Sequence, residues 1–196
     1  MEEASKIYGR LNDMAGQAYC LQRLARLLYG DDQLDAAEEA ASRAVDLLAD
    51  GGDQFDLCRC YRVLGDVCCS KGEVEKAISH FEAALGIASS LNLEGELFLV
   101  DYSLARLYFG ENKLDEAHAY VERSKSHGTD QPLRLGHAMK LQADFWFRES
   151  KFEEAKSEAL RALDVYQKFG VVADMGACRE LLQDIENKMK VPVTSG

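Results

Sequence analysis

The sequence predicts an all-α fold, a superhelix of antiparallel helix pairs (an α-solenoid), on three observations. Composition is the first: only 2 prolines occur in 196 residues, and 47% of positions are hydrophobic. That fraction is enough for a packed chain and too high for a disordered one. Ala, Leu, Glu and Arg dominate while β-branched runs are scarce, which favours helix. The second observation is a repeat: Ala37, Ala77, Ala117 and Ala155 stand 40, 40 and 38 residues apart. The third is a separate set of small residues, Ala25, Gly65, Ala105 and Ala143, with the same spacings of 40, 40 and 38. Two markers that share one register, including the same two-residue shortening, point to one supersecondary unit used repeatedly.

The elements follow in chain order. Ala4 lies forty residues before Ala44, Ile7 matches Leu47, and Leu11-Asn12-Asp13 matches Leu91-Asn92-Leu93. Residues 1–13 therefore read as the second helix of a truncated preceding repeat. The expectation is a fragment of a larger protein, or an array that dimerises through this end. Residues 14–190 form the array, with repeats at 18–56, 57–95, 96–133 and 134–173 and a capping helix at 174–190; residues 191–196 read as a flexible tail. In the first helix of each repeat an apolar stripe marks one buried face: Leu21, Leu24, Ala25, Leu28, then Tyr61, Leu64, Gly65, Cys68, then Leu104, Ala105, Tyr108. Repeat four offers Leu141, Ala143 and Trp146, with Gln142 where leucine is expected.

Short polar turns follow, such as Gly30-Asp31-Asp32-Gln33 and Ser70-Lys71-Gly72-Glu73, and each leads into a bulky apolar residue (Leu34, Val74, Leu114, Phe152). The acids of the next turn, Asp35, Glu75, Asp115 and Glu153 among them, suit the positive end of a helix dipole. Gly65 in mid-helix costs about 1 kcal/mol relative to Ala, so it needs a packing reason; a close contact with Ala77 is expected. After residue 174 the stripe Ala177, Cys178, Leu181, Leu182, Ile185, Met189 fits one further first-type helix that caps the stack.

Charge and motifs exclude several functions. With 23 Lys+Arg against 34 Asp+Glu the net charge is −11, which opposes nucleic-acid binding. No apolar run approaches the roughly 20 residues of a membrane span, and the acidic start lacks the order of a secretory signal. Cys20, Cys58, Cys60, Cys68, Cys69 and Cys178 contain no CxxC spacing; they read as half-buried small hydrophobes in a reducing cytosol, not as a zinc site or disulfide framework. His118 and Glu122 share a helix face but lack a third ligand, and His80 and His118 read as boundary or surface histidines. With no phosphate loop and no nucleophile–base set, the expectation is a chain without catalysis, metal or cofactor, located in the cytoplasm.

The pattern of large residue, small residue, turn, aromatic or aliphatic, and alanine resembles the tetratricopeptide repeat, whose usual period is about 34 residues. The period of 40 makes it similar to the longer repeats of the spindle-orientation adaptor LGN, kinesin light chain and the arrays of STAND-type sensors. The resemblance implies a right-handed superhelix whose first helices line a concave groove. Six and three residues before the small marker, and one and four or five after it, side chains then enter that groove. Repeat one presents Tyr19, Gln22, Arg26 and Tyr29; repeat two presents Arg59, Arg62, Asp66, Cys69 and Ser70. Repeat three presents Leu99, Tyr102, Arg106 and Phe109; repeat four presents His137, Lys140, Asp144, Phe147 and Arg148. The capping helix adds Glu180 and Asp184. Over the four repeats this surface holds six basic residues against two acids, and it carries five aromatics.

Arginine with aromatics is the composition of binding hot spots. The implied function is a protein-interaction scaffold that takes a peptide segment with acidic and apolar residues, with no nucleic acid or membrane partner. The chaperone-tail receptors of this family use Lys and Asn at slots that here hold Gln22/Arg26 and Arg62/Asp66, which disfavours that role. The alternative is a ligand-sensing module of a larger STAND-type ATPase or signalling protein. Self-association through the first helix is a third reading.

Overall fold

The computed structural model describes residues 1–190. The residues expected to form a flexible tail, 191–196, lie outside the described part. Among the described residues the regular structure is helical: α1 Glu2–Arg10, α2 Met14–Gly30, α3 Leu34–Leu48, α4 Gln54–Ser70, α5 Val74–Ser90, α6 Glu94–Gly110, α7 Leu114–His127, α8 Pro132–Arg148, α9 Phe152–Phe169 and α10 Val172–Lys190. Two compact units divide within α6, one of residues Met1–Ser103 and one from Leu104 onward.

In the first unit α2 packs on α3, α3 on α4 and α4 on α5, while the first-type helices α2 and α4 also touch. One core holds these helices together: Ala18, Leu21 and Ala25 of α2, Ala37, Ala41, Ala44 and Leu48 of α3, and Cys60, Val63, Leu64 and Val67 of α4. In the second unit α7 packs on α8, α8 on α9, and α10 on both α9 and α8. Its cores are Ala143, Ala155, Ala159, Leu181 and Ile185, and separately Met139, Ala162, Tyr166 and Cys178. Alanine recurs because the helices of a pair approach closely, leaving room for little more than a methyl group at the crossing.

The hairpin turns share one geometry. Asp32, Gly72, Asn112 and Ser150 all take positive φ, between 57° and 74°. The next residue then bonds back across the turn: Gln33 N–H to Leu28, Glu73 to Cys68, Lys113 to Tyr108 and Lys151 to Trp146, at 2.8–2.9 Å. This is the Schellman closure, in which a left-handed residue lets two N–H groups satisfy orphan helix carbonyls. Asn12 and Asn92 adopt the same conformation, at φ 54° and 52°, in the turns that enter α2 and α6.

Gly65 does meet a close neighbour, but a different one from Ala77. A Cβ built at Gly65 would lie 2.5 Å from the ring of Phe81, one helical turn further along α5. Phe81 is fully buried. At the register positions of Phe81 the other repeats carry Ala41, Val121 and Ala159, opposite Ala25, Ala105 and Ala143. At this crossing a glycine on one helix makes room for a phenyl ring on the other.

Candidate functional site

The predicted groove positions fall into three states, which are set by burial and partners within each unit. On α2, Tyr19 is 46% exposed and lies under Arg23, whose Cζ is 5.7 Å from the ring. Arg26 is exposed, and Tyr29 is half-buried against the core. Gln22 departs from the expectation: at 2% exposure it is a core residue, with its Oε1 buried and unpaired, and offers no surface to a ligand.

On α4 the basic residues are already engaged. Arg59 Nε donates to Glu96 Oε1 at 2.9 Å, and Arg62 Nε donates to the other oxygen, Oε2, at 3.2 Å. Arg62 also reaches Asp66 Oδ2 at 3.0 Å, and Ser103 donates its hydroxyl to Asp66 Oδ1 at 2.7 Å. Arg59 further stacks over Phe55 at 4.1 Å. The side chains of Glu96 and Arg62 retain only 5% and 12% exposure, so desolvation makes each charge depend on the other. Asp101, fully buried, adds a further acid nearby in sequence. The basic surplus counted along the groove is thus offset in repeat two by carboxylates that the marker offsets leave out, foremost Glu96. Cys69 and Tyr102 are half-buried, Tyr102 stacking on Phe98 at 5.9 Å, and Ser70 donates to the Asp66 carbonyl.

The second unit is different. Arg106 is exposed, with no acidic partner among the described residues. Phe109 stacks face to face on Phe145, with ring centroids 3.9 Å apart, and the Arg148 guanidinium lies over Phe109 at 4.2 Å. Arg148 itself is exposed and pairs with no carboxylate among the described residues. A guanidinium held flat on an aromatic ring keeps its edge free to grip a carboxylate. Lys140 is paired with Asp144 at 2.7 Å; burial raises the Asp144 pKa, and the lysine's hydrogen bond pulls against that shift. His137 accepts or donates at Nδ1 to the Tyr166 hydroxyl, 2.9 Å away. Phe147 packs against Phe152.

The sequence reading missed one polar cluster. His118, expected at a boundary or surface and considered with Glu122, is half-buried; it contacts Glu149 through Nε2 at 2.5 Å and receives the Gln142 amide at Nδ1, also at 2.5 Å. Its ring stacks on Trp146 at 4.1 Å, and Lys151 covers the Trp146 ring at 4.3 Å while pairing with Glu149. Burial opposes ionisation of Glu149, but hydrogen bonds from Lys151 and His118 outweigh it and hold the carboxyl below its ordinary range. Gln142, the residue standing where leucine was expected, is the signal: a polar intrusion in an apolar stripe needs a partner on the facing helix.

The cysteines are sealed thiols. All are buried except Cys69, and burial pushes Cys58 and Cys178 up to about 11 and Cys60 up to about 12. At neutral pH Cys58, Cys60 and Cys178 therefore stay as thiols. Among the described residues no group of three or more His, Cys, Asp or Glu is placed to hold a metal ion, and no helix is long and apolar enough to cross a membrane.

The chain is built of helical hairpins with a small residue at each crossing, a left-handed turn and a forty-residue period, and the tetratricopeptide repeat family model matches residues 14–90. The chain is also similar to a kinesin light chain-related protein. KINESIN LIGHT CHAIN-RELATED 3 of Arabidopsis thaliana is 25% identical over 169 residues, covering 83% of this chain, which spans only 26% of that relative's length. BtubC (BKLC) from P. vanneervenii superposes with a TM-score of 0.70 at 18% identity, over 100% of this chain and 91% of its own. YrrB, described as a tetratricopeptide-repeat protein with an unusual peptide-binding site, superposes with a TM-score of 0.52 at 19% identity, over 86% of this chain and 82% of its own.

Proposed function

We propose that this chain is a non-catalytic interaction scaffold whose first-helix faces bind a peptide segment carrying acidic and apolar residues. The observation that carries the reading is the open guanidinium of Arg148 on the Phe109–Phe145 stack, with Arg106 exposed on the helix that bears Phe109. A carboxylate meeting such a group gains a charge-assisted, bidentate hydrogen bond beside an aromatic wall. Arg26 with Tyr19 and Tyr29 offers a second contact of the same composition in the first unit. Support also comes from a neighbour of this fold whose description names a peptide-binding site. Lys140 and the Arg59–Arg62 pair are excluded from the anchor set because acids already occupy them.

The test is fluorescence anisotropy with a short labelled peptide alternating Asp/Glu with Leu/Trp. Arg106→Glu combined with Arg148→Glu should weaken binding by about 10- to 100-fold, the worth of one or two charge-assisted hydrogen bonds. Helicity and melting should be unchanged. Undiminished affinity in that double variant overturns the reading.

A further inference from the structure

We propose that His118 regulates the peptide anchor of the second unit: on gaining a proton it tightens on Glu149 and fixes Arg148 on its aromatic bed. This regulation rests on Arg148 being the anchor, as put forward above. His118 starts an unbroken run of contacts that ends at that guanidinium. Arg148 lies over Phe109 at 4.2 Å, Phe109 stacks on Phe145 at 3.9 Å, and the His118 ring meets Phe145 at 5.7 Å with an interplanar angle of 81°. A second route runs through the backbone. Glu149, which His118 contacts through Nε2, directly follows Arg148, and its N–H closes the end of α8 on the Phe145 carbonyl at 3.1 Å.

The ring has two arrangements open to it. While it is neutral, the Gln142 amide donates to Nδ1 and the ring proton sits on Nε2 towards Glu149. Gln142 Oε1 is then buried without a partner. A second proton makes both ring nitrogens donors, so the amide must turn over and accept at Oε1. Either way one amide group is left unpaired, and Glu149 decides the balance: it faces a neutral N–H in the first state and an imidazolium in the second. A charge-assisted bond is roughly twice as strong as a neutral one. Burial opposes ionisation of Glu149, yet hydrogen bonds from Lys151 and His118 keep the carboxyl below its ordinary range, so it is an anion throughout the interval in which imidazoles titrate.

The remaining neighbours set the sign. The His118 ring lies over Trp146 with centroids 4.1 Å apart, and a cation is attracted to an indole face. Lys151, over the same indole at 4.3 Å and 2.9 Å from Glu149, is the cation that opposes the second proton. On α7 itself Glu122 is taken by Lys125, and Asp115 is exposed. On the α6 side Arg106 and Glu111 are exposed and Lys113 lies over Tyr108. The stronger clasp holds the last turn of α8 as a bound carboxylate needs it, so binding has less side-chain freedom to remove.

Trp146 is the one tryptophan of the chain, and a protonated imidazole in contact with an indole quenches its emission, so the clasp has its own reporter. In the full chain the emission should fall as pH is lowered from about 8 to about 5, the range of histidine titration. His118→Gln should abolish that transition, and Glu149→Gln, which removes the anion, should move it to lower pH. Anisotropy with the labelled acidic peptide is then compared at about pH 8 and about pH 6, where the peptide's carboxylates stay ionised. Binding should be about 2- to 10-fold tighter at the lower pH, the worth of immobilising one long side chain. His118→Gln should remove that difference. Emission without a transition, a transition or an affinity difference that survives His118→Gln, or equal affinity of the unaltered chain at the two pH values each overturns the regulation. A peptide that binds at neither pH overturns the scaffold reading and the regulation with it, and the emission transition, which needs no peptide, tells the two failures apart.

Discussion

Arg62 and Arg106 occupy neighbouring repeats and near-equivalent helix faces, yet they do opposite work. In the first unit two arginines close on one buried carboxylate, Glu96, and Asp66 and Ser103 complete the cluster. In the second unit Arg106 has no acidic partner among the described residues, and Arg148 rests on an aromatic stack. The same residue type is structural where an acid has been placed behind it and available where a ring has been placed beneath it. Charge counted along a surface is therefore a poor guide to charge offered by it; the count must include acids on the next helix.

The sharpest way to break this contrast is to remove the acid. Glu96→Ala strands two largely desolvated guanidinium groups and should lower stability by about 3 kcal/mol in urea unfolding. Asp144→Ala, which frees the half-exposed Lys140 of the second unit, should cost under about 1 kcal/mol. Equal costs would mean that the two clusters do not differ in kind. A smaller effect is expected at the helix crossing, where the units also diverge. Gly65→Ala pushes a methyl into the Phe81 ring and should cost about 2 kcal/mol, and Phe81→Leu in the same chain should recover much of it. Additive losses would dismiss the exchange of volume inferred between those two positions.

The smallest effect concerns pH. His80 stacks on Tyr61 with centroids 6.1 Å apart, and burial lowers its pKa, with Glu38 pulling the other way. A folded-state pKa below the unfolded value of about 6.5 means that the unfolded chain takes up the proton first. His80 thus favours folding least below its folded pKa, and stability declines as pH falls through the interval between the two values. His80→Gln should flatten the fall in Tm between pH 7 and pH 5, and an unchanged slope would show that burial there is not sensed.

The fold was legible because close helix crossings demand small residues, and Ala25, Gly65, Ala105 and Ala143 print that demand at a fixed interval. The turns were legible for a similar reason, since Gly72 and Asn112 suit a left-handed residue. The site was legible only in outline. Offsets from a marker describe where a side chain points from its own helix, but not which groups arrive from the next one. Glu96 sits a full turn before the positions such offsets reach, and Gln22 is roofed over by its neighbours. His118 and Gln142 were each visible as oddities, yet their pairing across α7 and α8 depends on the packing of two helices and on no spacing within either.

The hairpin turns carry one more implication. Each is closed at the backbone through a left-handed residue and a bond spanning only six positions, with side chains such as Lys71 and Glu149 adding contacts to the preceding repeat. Nucleation then has several equivalent starting points, because any hairpin can form on its own and recruit the helix beside it at small loop-closure cost. A chain assembled this way folds quickly for its length, and it unravels from its ends inward.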